Sequence, residues 1–159
     1  MTEKIASFTV DHTKLLPGLY VSRNDGWGNA SVATFDLRMK KPNNGDYLST
    51  SAAHALEHLG ATFLRNHAKY AQRTVYFGPM GCRTGFYALF FGDVSVDEIA
   101  PVFKEMCEYI LSYEGTLPGE SAAECGNYKD LSLEEAKKEA YEYLQVLKNL
   151  DEHTTNYPS

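Results

Sequence analysis

One stretch, Ser51 to His67, constrains the fold more than any other. Within it Ala53, Leu56, Leu59, Phe63 and Leu64 recur at steps of three and four, the period of one helical face. His54 and His58 are four residues apart, so on a helix they lie one turn above each other, about 6 Å along the axis. Two imidazoles so placed can hold one metal ion, each through one ring nitrogen. Glu57, three residues after His54, leans towards the same site without having to be a ligand. The order is H-x-x-E-H, the inverse of the zincin motif, and a carboxylate beside a metal can act as a general base. The competing reading of the five positions is two satisfied histidines with a solvated Glu57. His67 comes nine residues after His58 and, at about 100° per residue, points to the opposite side, which excludes it from the same ion.

The flanking sequence supplies strands and further helices. Gly18–Arg23 reads as a strand, followed by a turn region at Asn24–Asn29. Ala33 to Lys40 is the clearest strand: Ala33, Phe35, Leu37 and Met39 alternate with Thr34, Asp36, Arg38 and Lys40. Arg38 thus belongs to the polar face, where an arginine is ordinarily solvated. Ser49 to Ser51 offer N-caps for the histidine helix, which should run to about Ala68. Arg73–Phe77 and Arg83–Phe91 read as two strands joined by a tight loop, Gly78-Pro-Met-Gly-Cys82. The second is apolar on both faces, which predicts helices against one face and a partner chain against the other. Capping boxes at Ser95–Glu98 and Ser132–Glu135 open two helices. The first buries Ile99, Val102, Phe103, Met106, Cys107, Ile110 and Leu111; the second turns Leu133, Ala136, Ala140, Leu144, Leu147 and Leu150 inward. Gly119 to Tyr128 reads as a loop, and Glu152–Ser159 as a polar, frayed tail.

A chain of 159 residues is enough for one domain with a real core, here read as residues 1–159. A net charge of −6 without any Lys/Arg cluster argues against nucleic acid as a partner. The longest apolar run, Phe86–Phe91, is far too short to span a bilayer, and Met1-Thr-Glu-Lys4 lacks the apolar core of a signal peptide. Three cysteines without a disulfide spacing fit a reducing cytoplasm, where such thiols are core, metal-bound or catalytic. Cys107 falls on an apolar helical stripe and reads as core. Cys125 sits in a loop that could reach His54 and His58; two histidines, a cysteine and an open position make a catalytic metal arrangement. Cys82 lies in a glycine-rich turn beside Arg83, where cationic neighbours and backbone N–H groups can lower a thiol pKa. Spacing alone does not fix which of Cys82 and Cys125 binds metal and which reacts. His12, in a short polar segment without a period, reads by itself as a surface histidine.

Taken together, His54-Ala-Leu-Glu57-His58, Gly78-Pro-Met-Gly-Cys82-Arg-Thr-Gly-Phe-Tyr87 and Glu124-Cys125-Gly126-Asn127 resemble the S-ribosylhomocysteine lyase (LuxS) family. Ser7-Phe8, Asp11-His12-Thr13-Lys14 and Asp36-Leu37-Arg38 share the likeness, which spans nearly the whole chain. The resemblance implies an α+β fold, an antiparallel sheet with helices packed on one face, and a homodimer with active sites at the interface. It implies one Fe²⁺ per chain, replaceable by Zn²⁺, held by His54, His58 and Cys125. It implies Cys82 and Glu57 as the acid/base pair, with Ser7, His12 and Arg38 lining the substrate site. The implied reaction cleaves the ribosyl thioether of S-ribosylhomocysteine to homocysteine and 4,5-dihydroxy-2,3-pentanedione, the precursor of autoinducer-2. In that chemistry a Lewis-acidic metal polarises a sugar carbonyl as it migrates along the chain. One departure stands out: some members carry an acidic residue just before the Pro-Met-Gly-Cys block, and Thr74-Val-Tyr-Phe-Gly78 has none.

Two other classes compete. An inverzincin-type metallopeptidase would use Glu57 to activate water and take Glu134 or Glu135 as third ligand, leaving Cys82 and Cys125 idle. A zinc-stabilised, non-enzymatic binding module would need a fourth protein ligand and would unfold without metal.

Overall fold

A computed structural model describes residues Met1–Ser159. Four strands, β1 (Gly18–Trp27), β2 (Ala30–Arg38), β3 (Thr74–Pro79) and β4 (Gly85–Phe91), form one antiparallel sheet in the order β1-β2-β4-β3. The helices are α1 (Thr50–Arg65), α2 (Val96–Ser112), α3 (Leu133–Lys148) and the single turn α4 (Glu152–Thr155). This is an α+β architecture. No helix is long and apolar enough to cross a membrane.

The alternation in β2 decides which side of the sheet is the core. Ala33, Phe35, Leu37 and Met39 are buried together with Phe86, Ala88 and Phe90 of β4, against the apolar stripes of α1, α2 and α3. Phe35 meets Phe90 and Phe103 edge to face at 6.0 and 6.5 Å between centroids. The helices begin at the capping serines: Ser49, Ser95 and Ser132 each accept a backbone N–H of the first turn. Cys107 lies inside the α2 stripe, and burial pushes its thiol up to about 12.

Four features depart from the reading of the sequence. Asn24–Trp27 is not a turn but continues β1, paired with residues 30 to 33 after a register shift between Val21 and Arg23. Gly28, with φ +59°, leads a hairpin turn of two residues. Arg38 is not solvated: the polar face of β2 is itself buried, with Asp36 at 0% and Arg38 at 3% exposure. Lys40 leaves that face: Met39 N–H and Lys40 N–H both donate to Thr84 O, the alternation breaks, and Lys40 is enclosed by Glu139 and Glu142 of α3 and by Asp46 at 2.7, 3.2 and 3.3 Å. Burial alone would lower this ammonium, but the hydrogen bond and charge of Glu139 outweigh it and hold the group above its ordinary range.

The tail is not frayed. Asp151 and Thr154 form a reciprocal capping box that starts α4, and the Tyr157 hydroxyl then donates to Asp36 at 2.7 Å. The second face of β4 is only partly covered within the chain: Tyr87 and Leu89 are half-buried and Phe91 is exposed. Tyr76, opposite Leu89 on β3, is also exposed.

The burial of Cys107 gives a direct check. A thiol reagent at pH 8 should label Cys107 only after unfolding, followed by peptide mass mapping, and Cys107→Ala should cost about 1 kcal/mol of stability. Rapid labelling of Cys107 in the native protein would contradict this core.

Candidate active site

The first cluster is built by α1 and the loop between α2 and α3. The helix sets His54 and His58 one turn apart, with rings at 84° and centroids 4.6 Å apart. Nδ1 of His54 lies 2.8 Å from the carbonyl oxygen of Asp130, and Nδ1 of His58 lies 2.7 Å from that of Pro118. A carbonyl can only accept, so each Nδ1 carries the proton and each Nε2 keeps its lone pair. The same loop brings Cys125 Sγ to 3.3 Å from His54 Nε2, and the Asn127 N–H donates to that sulfur at 3.4 Å. All three ligand atoms lie within 4.8 Å of one another.

These residues fit a single ion. Neighbouring ligands on a tetrahedral centre with N and S donors are about 3.5 Å apart, close to the Cys125–His54 separation of 3.3 Å. Carbonyl acceptors behind both imidazoles are the outer partners that fix a ligating tautomer. Gly119 completes the packing: its φ is +73°, and a Cβ there would sit 3.0 Å from His58 Nδ1. Glu57 projects from the same helix, half-buried, with no protein donor on its carboxylate.

The second cluster lies on the other face of the sheet. Antiparallel register sets Arg38 opposite Gly85, so the guanidinium reaches the turn that precedes β4. That turn closes through Arg83 N–H to Met80 O at 3.0 Å and Met80 N–H to Gly85 O at 2.9 Å, with Arg83 at φ +60°. Leu48 holds the strained residue in place: its N–H donates to Arg83 O at 2.9 Å, and its carbonyl accepts from Arg83 Nη1 at 3.2 Å. Cys82 is thereby presented at the rim of a cleft of about 450 Å³, lined also by Ser7, His12, Arg38, Thr84 and Tyr87. Arg38 pairs with Asp36 through Nη2 and Nε at 2.6 and 3.1 Å and donates from Nη1 to Thr84 Oγ1 at 2.9 Å. Thr84 Oγ1 is in turn 3.1 Å from Cys82 Sγ. Burial alone would lower the Arg38 guanidinium, and the hydrogen bond and charge of Asp36 more than offset it. His12 is half-buried, with Nδ1 2.8 Å from Val10 O, so Nε2 is left for the cleft.

The S-ribosylhomocysteinase (LuxS) family profile matches residues 5–154. The chain belongs to this family. It is 54% identical over 158 residues to the S-ribosylhomocysteine lyase of Desulfotalea psychrophila, covering 99% of both chains. It is 50% identical to that of Clostridium acetobutylicum and 46% identical to that of Borreliella burgdorferi, in each case over 98% of this chain and 99% of the relative.

Within this LuxS chain the candidate residues fall into two groups. Ser7, His12, Arg38 and Cys82 line one cleft, and His54, His58 and Cys125 form one cluster. None of His54, Glu57, His58 or Cys125 lines the Cys82 cleft. The two thiols separate in space, with Cys125 beside the imidazoles and Cys82 beside Thr84. Spacing alone made His12 a surface residue; the fold instead turns it into the cleft. His67 lies apart, 3.4 Å from Glu105. Glu135 is engaged by Ser51 and Ser49 at the start of α1, and neither it nor Glu134 joins the cluster. The cluster also has three protein donors, not the four of a closed structural site. Asp36, Thr84 and Tyr157 were missed. Asp36 and Arg38 sharing one strand face was a usable signal; nothing in the tail's spacing pointed Tyr157 at either.

Elemental analysis checks the first cluster. The purified protein should carry one metal ion per chain, lost in His54→Ala, His58→Ala and Cys125→Ala and kept in His67→Ala. Gly119→Ala, which displaces an outer partner of His58, should weaken metal affinity by about 10–100-fold. Full occupancy in Cys125→Ala would remove Cys125 from the ligand set.

Proposed function

We propose that residues 1–159 form one metal-dependent lyase domain that cleaves S-ribosylhomocysteine to homocysteine and 4,5-dihydroxy-2,3-pentanedione. The observation that carries this reading is the pairing of an open three-ligand cluster with a thiol beside Arg38, in a chain matching the LuxS family over residues 5–154. His54, His58 and Cys125 would hold Fe²⁺, or Zn²⁺ in its place, since imidazole and thiolate suit both. When bound, the ion supplies Lewis acidity at the substrate's carbonyl oxygen.

The proton movements follow from the substrate. Its sulfur is on C5 and its carbonyl begins at C1. Expelling the thiol requires an acidic proton on C4 and therefore a carbonyl at C3. The carbonyl must move twice, and each move removes a proton from one carbon and returns one to its neighbour. Proton removal shifts from C2 to C3 to C4, so two bases around one metal are useful. We assign the transfers to Cys82 as thiolate and to the Glu57 carboxylate, with Ser7, His12 and Arg38 holding the sugar oxygens. The released sulfur leaves as the homocysteine thiol after protonation, with no net oxidation.

Both groups must reach one substrate, yet in the single chain Glu57 and the three ligands lie outside the Cys82 cleft. A second copy would supply what the first lacks. The exposed Tyr76 and Phe91, with Phe8 and Ile5 beside the cleft, form the apolar surface on which we place that homodimer interface. Three free thiols suit a reducing cytoplasm.

The test is release of free thiol from S-ribosylhomocysteine by the purified protein. Cys82→Ala and Glu57→Gln should keep metal and fold yet lose turnover by about 10²–10⁴-fold, the usual contribution of an acid–base group. Turnover by Cys82→Ala at the parent rate would make Cys82 a turn residue and overturn the mechanism.

A further inference from the structure

The C-terminal tail ends against the buried polar face of the sheet, and Tyr157 starts an unbroken line of polar contacts to the cleft. Its hydroxyl donates to Asp36 Oδ2 at 2.7 Å, and its ring stacks on Tyr20 at 4.8 Å between centroids. Asp36 accepts Arg38 on both oxygens, Nε on Oδ1 and Nη2 on Oδ2, which fixes the guanidinium plane. Nη1 then has one direction, and it donates to Thr84 Oγ1. A guanidinium cannot accept a hydrogen bond, so Thr84 must be the acceptor. The threonine's own proton is therefore free to point at Cys82 Sγ. The direction of every bond from Tyr157 to Thr84 follows from which groups can donate, and between Thr84 and Cys82 either can.

The tail is built to deliver this phenol. The Asp151–Thr154 capping box shapes α4, and Lys14 Nζ donates to Ser159 O at 3.3 Å just beyond Tyr157. Gly18 lets the Thr154 backbone approach β1 more closely than any side chain would allow. Burial, then the charge and hydrogen bond of Asp36, hold the phenol above its ordinary range, so it remains a donor. Arg38 and Asp36, joined at both carboxylate oxygens, can still swing together as one unit unless a group outside the pair anchors it. Here the phenol is the one donor to Asp36 that does not come from Arg38.

We propose that Tyr157 is a positioning residue for the cleft: by donating to Asp36 it fixes the carboxylate that aims Arg38 at Thr84, Cys82 and the substrate. It touches no reacting atom, and its kinetic effect rests on the lyase reading above. The full-length chain carrying Tyr157→Phe tests it by two readouts. One is thiol release from S-ribosylhomocysteine; the other is the ¹⁵N–¹H resonance of Arg38 Nε, assigned by its loss in Arg38→Lys. Tyr157→Phe should lower kcat/KM about tenfold, the scale of one hydrogen bond to a charged group, with bound metal unchanged and a drop in melting temperature that Thr74→Val also shows without the kinetic loss. The Arg38 Nε–H signal should shift and exchange faster with solvent, and the Arg38→Lys/Tyr157→Phe double variant should lose less than the product of the single losses. Thr74→Val, which loses a buried bond to Tyr70 O at the end of β3 away from the cleft, should lower the melting temperature and leave both readouts alone.

An active parent whose Tyr157→Phe variant keeps kcat/KM within about twofold overturns the proposal whatever the resonance does. So does a loss that multiplies independently with Arg38→Lys, or an equal loss of kcat/KM in Thr74→Val. A parent that releases no homocysteine overturns the lyase reading instead; an Arg38 signal that still moves in Tyr157→Phe then supports the positioning role, and one that stays still overturns it.

Discussion

Asp36 and Arg38 put opposite charges, at 0% and 3% exposure, on the sheet face turned away from the helices. Neither charge is tolerable there alone. Removing one partner of such a pair typically costs about 3–5 kcal/mol, because the other is left buried and uncompensated. The structure around them is organised by that demand. The N-terminal segment and the tail close over the pair, and the turn before β4 supplies Thr84 for the remaining guanidinium donor. A polar face that could have met water is enclosed, and the enclosure is the wall of the cleft. Its bidentate geometry leaves Nη1 to donate to Thr84, whose hydroxyl lies beside Cys82.

The helix α1 meets a different double requirement. Leu56, Leu59 and Leu64 hold it to the core, while His54 and His58 on another face need acceptors for Nδ1 and a third donor for the ion. One loop satisfies all of these through Pro118 O, Asp130 O and Cys125 Sγ. The Nδ1 bonds to Pro118 O and Asp130 O tie this loop to α1 on either side of Cys125. This is why a change at Gly119, which binds nothing itself, is expected to reach the metal.

Local periodicity made much of this legible. The helical spacing of α1, the alternation in β2 and the capping serines of α1, α2 and α3 are short-range signals, and the elements follow them closely. Histidines four apart were visible as a candidate metal pair, while spacing left open which of Cys82 and Cys125 joins them. What the spacing missed is long-range. Arg38 looked solvated because alternation marks a polar face without saying what covers it. His12 looked like a surface residue because its short polar segment has no period at all. The tail has no periodicity to read, and its order comes from Asp36, more than a hundred residues earlier in the chain. Asn24–Trp27 carried turn-forming residues, yet pairing with β2 overrode that preference.

The central claim is that a thiol in one copy and a carboxylate with its metal ligands in another make one active site. Co-expression of two individually inactive chains, Cys82→Ala and Glu57→Gln, tests it most directly. In a dimer with shared sites, each mixed pair contains one site with Glu57 from the first chain and Cys82 from the second, both intact. Random pairing should then restore about a quarter of parental homocysteine release, since half the dimers are mixed and each has one good site. Activity no greater than the sum of the two variants expressed separately would contradict a site shared between copies.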